Sequence, residues 1–242
     1  MRMGDAMPNT TKTVRRSRQS GHQIIEFAFV ALMFIPMMMG TFITGMNLIR
    51  SNQVNHIARD MADMYIHGAD FSDKAMQRVA KKLATGMDLQ VGTGNGNVAD
   101  NTGNGGRGII WVSKLMKVGS NADASCQAAL PAACTNVNKF VFLEHIRFGN
   151  GSLQAERDAS VGHPGANRDI FGRVTDDVVK TASAAVPEPQ QSTLYGLWQG
   201  TGNGRTPLAD QQVIFMVEVY FQSPDLSLGA MSGRGVYARW FY

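Results

Sequence analysis

From Phe27 to Ile49 the chain runs for 23 residues without a charge, FAFVALMFIPMMMGTFITGMNLI, and this stretch limits every fold it can adopt. As a helix rising about 1.5 Å per residue it is roughly 34 Å long, enough to cross a hydrocarbon layer of about 30 Å. A secretory signal carries a shorter apolar core, of about 7 to 15 residues, with a small-residue cleavage site behind it. No A-x-A pattern follows this run. The stretch therefore reads as a membrane-spanning helix.

The charges around it give an expected orientation. Arg2, Lys12, Arg15, Arg16 and Arg18 precede the run against one acid, Asp5, so residues 1–21 carry the whole formal net charge of +4. Only Arg50 and Arg59 follow closely. By the positive-inside bias the amino end stays in the cytoplasm and the rest lies outside the membrane. Beyond Gly21 the chain holds 18 basic and 18 acidic residues, a balance that gives no basic surface for nucleic acid. An outside location in an oxidising compartment suits Cys126 and Cys134 as one short disulfide. Two cysteines without a nearby histidine make a poor metal site, and two inert thiols are the alternative.

The residues after the run keep a helical period, with Val54, Ile57, Ala58, Met61, Met64 and Tyr65 at spacings of three and four. The helix is expected to continue to about His67, its apolar stripe covered by its own domain or by a neighbouring subunit. A second helix is expected from a Ser72 cap to Gly86, with Ala75, Met76, Val79, Ala80 and Leu83 on one face. Residues 92–108, GTGNGNVADNTGNGGRG, read as a loop, since Gly and Asn cannot build a core. Strands are expected at Ile109–Val118, Phe140–Phe148, Val213–Phe221 and Gly235–Phe241. The third alternates, with Val217, Val219 and Phe221 on one side and Met216, Glu218 and Tyr220 on the other. A short helix is placed near Asp176–Ala184, ahead of Pro187 and Pro189. The expected fold class is α+β: a long amino-terminal transmembrane helix, then a small domain with an antiparallel sheet of about four strands. The expected divisions are residues 1–21, 22–68 with the membrane-embedded part ending near 49, and 69–242.

Residues 15–45 read RRSRQSGHQIIEFAFVALMFIPMMMGTFITG. A basic leader ends in Gly21, four residues intervene, and Glu26 and Phe27 open the apolar helix. Glu-Phe-Ala is followed by Pro36, by Gly40 four residues later and by Gly45. Together these resemble the TadE-type minor pseudopilins of tight-adherence pilus systems. The likeness is strong over residues 15 to about 50. It has weaker support at the carboxyl end, where a strand containing Val217, Glu218 and Val219, a Ser-Pro turn and the closing VYARWFY are similar to the way such proteins finish.

The resemblance implies a pilin-like fold and cleavage by a prepilin peptidase between Gly21 and His22, which leaves Glu26 fifth in the mature chain. It also implies a bacterial inner-membrane location, with other pilins, pseudopilins and a pilus assembly platform as partners. The residues supply physical reasons of their own. Gly21 allows close backbone approach. Pro36 removes a helix hydrogen bond inside the membrane. Gly40 and Gly45 permit close helix contact. A Glu26 carboxylate at the edge of the hydrocarbon needs a cationic partner, for which a new terminal amine at His22, from the same or the adjacent subunit, is suited.

Two alternatives are an anchored adhesion or binding module and a minor pilin of another type IV or type II secretion-like machine. A signal-anchored enzyme is the rival from a different class. The five histidines are scattered, and no H-E-x-x-H, G-x-S-x-G or Walker pattern is present, so the sequence names no catalytic residue, metal ligand or cofactor.

Overall fold

The computed structural model describes residues 20–92, 99–119, 134–156, 162–199, 208–222 and 235–242. Its elements are α1 (Ser20–Ile66), α2 (Lys74–Leu83), β1 (Asp100–Gly103), β2 (Gly108–Lys117), β3 (Phe140–Asn150), α3 (Glu188–Gln199), β4 (Val213–Gln222) and β5 (Gly235–Phe241), with 3-10 turns at Gly151–Glu156 and Ala182–Ala184. The chain forms two compact units, one ending at Met46 and the other spanning Asn47–Tyr242.

In the second unit the helical stripe read from the sequence is buried at Val54, Ile57, Ala58, Met61 and Tyr65 and partly buried at Met64; with Ala62 these pack with Ile110, Val112, Ile146, Phe148, Val217 and Val219. The unit's own sheet is therefore what covers this part of α1. Burying such side chains stabilises by about 1.5–3 kcal/mol each for the larger ones. The helix stops where Gly68 takes a φ of 90° and the Ala69 N–H donates to the Met64 carbonyl at 3.0 Å. A positive φ costs glycine little, which makes it a common residue just past a helix end.

The sheet differs from the expected one. It has five strands in the order β1-β3-β2-β4-β5, and it is mixed, because β1 runs parallel to β3 while the remaining pairs are antiparallel. The extra strand lies inside the tract read as loop. Polar pairing holds it where apolar burial cannot: the Arg147 guanidinium pairs with Asp100, and Asn101, 3% exposed, donates to Gln77 Oε1 at 2.5 Å. The other four strands lie where the alternation places them, to within two residues at either end.

Both helices beyond α1 also correct the sequence reading. The cap of α2 is Asp73, whose carboxylate accepts from the Ala75 N–H at 3.1 Å, while Ser72 is buried and donates to Asp70. The face of α2 is turned accordingly, with Gln77 and Ala80 buried and Val79 and Leu83 exposed. Near Asp176–Ala184 there is only the 3-10 turn at its end, and the α-helix starts after it, at Glu188. Pro187 and Pro189 open that helix, since the Gln190 and Gln191 N–H groups donate to the Pro187 carbonyl. Proline suits a first turn, where its missing N–H is not needed. The second sheet face, with Leu115, Phe140, Phe142, Ile214 and Met216, is closed by Val186 and Leu194 from this segment and by Leu208.

Candidate functional site

The motif residues fall on the first half of α1. Gly21 and His22 lie in its opening turn, and the i, i+4 spacing brings His22 Nε2 to 3.3 Å from Glu26 Oε1. Both side chains are largely exposed. The imidazole is thus a second partner beside Glu26, one that the sequence reading, which looked only to the backbone amine, missed. Helical spacing alone could have found it.

From Phe27 onward the helix shows apolar side chains on every side. Phe27 is 73% exposed, and Phe29, Leu32, Met33, Phe34, Met37, Met38 and Phe42 are exposed as well. Soluble monomers rarely expose contiguous apolar patches beyond a few hundred Å². Among the described residues this is the one helix long and apolar enough to cross a membrane. It continues through Pro36, and the Thr44 hydroxyl donates back to the Gly40 carbonyl at 2.8 Å. A side chain at Gly40 or Gly45 would meet nothing within 4 Å, so any close packing there needs a neighbour. Residues 1–19 and Cys126 lie outside the described residues, and with them the leader and the Cys126–Cys134 pairing; Cys134 itself is half-buried against Val118 and Val141.

Two of the polar groups in the sheet of the second unit are buried. Glu218 on β4 stands opposite Arg239 on β5; the Arg239 Nε donates to Glu218 Oε1 at 2.8 Å, and the Tyr237 hydroxyl donates to the same oxygen. Ser113 on β2 and His145 on β3 are likewise register partners, with Ser113 Oγ 2.9 Å from His145 Nδ1. Ser113 and His145 are both fully buried, so a substrate has no access to the pair. Burial first, and then the positive neighbours Arg168, His163 and Arg147, hold the imidazole well below its ordinary proton affinity.

That depression sets the sign of an acid effect. Above about pH 6.5 the imidazole is neutral in the folded and unfolded states alike; below it the unfolded chain takes up a proton that the folded chain refuses. Stability is expected to fall as pH drops from about 6.5 toward the depressed folded value, by about 1.4 kcal/mol per pH unit from this group. Denaturant titrations at pH 7.5 and 5.5 check this: His145→Gln should show a smaller loss between the two than the parent, whatever its absolute stability. Equal losses would remove the assignment.

Comparison with known proteins finds no matching family model, no matching curated protein and no matching solved structure.

Proposed function

We propose that this chain is a TadE-like minor pseudopilin, a structural and assembly component of a tight-adherence pilus with no catalytic role. One observation carries the reading: an apolar helical surface, exposed all round, begins one residue after Glu26 and six after Gly21. A soluble fold has no use for such a surface, and a plain anchor has no use for the Gly-x-x-x-x-Glu spacing ahead of it. In this reading α1 anchors the chain in the bacterial inner membrane with its amino end cytoplasmic and the Asn47–Tyr242 unit outside. A prepilin peptidase removes residues 1–21. Glu26 then pairs with the amine of the new terminus, within one subunit or between adjacent ones, with the His22 imidazole beside it, and sets their axial register. Phe27, Pro36, Gly40 and Gly45 face the bilayer or neighbouring pilin helices, and Cys126 joins Cys134 in the oxidising compartment.

Intact-mass measurement or amino-terminal sequencing of the chain from its native host tests this. The expected mature chain begins at His22 and ends at Tyr242. An unprocessed Met1 points instead to an anchored adhesion or binding module, and a cut beyond Ile49 to an exported domain released by a signal peptidase. Either result rejects the pseudopilin reading.

A further inference from the structure

Just past the end of α1, on the sheet face that the helix covers, a cavity of about 270 Å³ opens to solvent. Five of its side chains are polar: Tyr65, Asp70, Lys114, Glu144 and Arg173, with Phe215 as an apolar wall. Tyr65 is 6% exposed and its hydroxyl has no hydrogen-bond partner among the described residues. Buried hydroxyls are seldom left without a partner, so one beside an open cavity marks a place for a ligand atom or ordered water. Burial first, and then the nearby Glu144 carboxylate, raise the Tyr65 phenol above its ordinary range.

The charges alternate along the cavity wall, with Glu144 between two cations. Lys114 and Glu144 are register partners on β2 and β3, at the bulge between Lys114 and Leu115, and Glu144 forms an isolated bridge with Arg173. The ammonium of Lys114 lies 5.5 Å above the Phe215 ring, and the Arg173 guanidinium 5.3 Å from the Phe171 ring. Burial pushes the Glu144 carboxyl up from its usual range, although Tyr65, Lys114 and Arg173 act against that. Asp70 keeps one oxygen for the Ser72 N–H and hydroxyl, leaving the other open to the cavity mouth.

The geometry points to a binding site for a small zwitterion of the α-amino-acid class, its carboxylate held by Lys114 and Arg173 and its ammonium by Glu144 and Asp70, with the Tyr65 hydroxyl donating to the carboxylate. A ligand with one charge satisfies one pair and leaves the other exposed to a like-charged wall. The volume is just below the roughly 300–1,000 Å³ of pockets that hold drug-sized molecules, which suits a free amino acid. This inference stands on the Asn47–Tyr242 unit alone and is independent of the pseudopilin reading.

The test is calorimetric titration of the full chain in detergent micelles with glycine, L-alanine, L-serine and L-glutamine, and with acetate and ethylamine as singly charged controls. At least one amino acid is expected to bind below about 1 mM, and both controls about tenfold or more weaker. Lys114→Met and Glu144→Gln should each weaken the tightest amino acid about tenfold while the circular dichroism stays that of the parent. Tyr65→Phe removes only the unpartnered hydroxyl, so it should bind more weakly without losing thermal stability, and it keeps the test open if a charge substitution fails to fold. No heat from any of the four amino acids at about 10 mM, controls that bind as tightly, or unchanged binding in the variants would each overturn the proposal.

Discussion

Arg239→Ala is expected to destabilise the Asn47–Tyr242 unit by about 3–5 kcal/mol, the usual cost of stranding one member of a buried ion pair. Glu218 is 2% exposed, in the second strand from the sheet edge, and its carboxylate has Arg239 and Tyr237 as its partners on β5. Arg239, with 16% of its side chain exposed, sits with its guanidinium 5.6 Å and 5.7 Å from the Tyr237 and Phe241 rings. Burial disfavours the guanidinium charge, and Glu218 and Tyr237 more than offset it, so its proton is held more tightly than usual. Alanine removes the counter-charge, the Nε donor and the ring contacts at once, leaving Glu218 the Tyr237 hydroxyl. For a unit of this size the loss corresponds to a fall in Tm of roughly 10 °C. Thermal and denaturant unfolding of Glu218→Gln, Arg239→Leu and Glu218→Gln/Arg239→Leu form a double-mutant cycle. The double variant should recover at least half of the loss, since no buried charge is left alone. An Arg239→Ala chain within about 1 kcal/mol of the parent would show that water reaches Glu218 and that the pair is a surface one in energetic terms.

What the sequence disclosed and what it hid divide along one physical line. Segments whose partners are apolar announced themselves, because burial imposes a period: three and four along Val54–Tyr65, two along Val213–Phe221. Segments whose partners are polar did not. β1 is held through Asp100–Arg147 and Asn101–Gln77, and no periodicity in a Gly and Asn tract marks those residues as sheet. Gln77 misled the reading of α2 in the same way: it faces inward because its amide donates to the Phe71 carbonyl at 2.8 Å and accepts from Asn101, so the apolar Val79 and Leu83 are left outside. Pro187 and Pro189 were ambiguous, since proline marks both the end of one helix and the first turn of the next. The pattern on which the pseudopilin proposal rests could be read because its residues are contiguous, from Gly21 to Gly45. The cavity beside Tyr65 was not, because its side chains come from five separated stretches of chain and only the fold brings them together.

Two arginines placed at the middle of the apolar run are expected to abolish membrane insertion. Phe34 and Met38 lie one helical turn apart near the centre of Phe27–Ile49, both exposed and with no protein surface to receive them. On insertion scales an arginine at that depth costs about 2.5–3.5 kcal/mol, against a small gain for the apolar residue it replaces. Phe34→Arg/Met38→Arg should therefore shift the insertion equilibrium by at least about 6 kcal/mol, or roughly four powers of ten. Snorkelling cannot rescue the pair, because position 38 is about 16 Å and position 34 about 10 Å of helix from the nearer end of the run, and an arginine side chain spans only part of either distance. Asn52→Arg, on the exposed side of the outer part of α1, is the control and should leave insertion unchanged. Flotation of membranes followed by alkaline extraction separates inserted chain from both soluble and aggregated material. The parent and Asn52→Arg should float and resist extraction, and the double variant should do neither. If the double variant floats and resists like the parent, the helix is held by something other than hydrocarbon, and the anchor on which the pseudopilin reading depends is wrong.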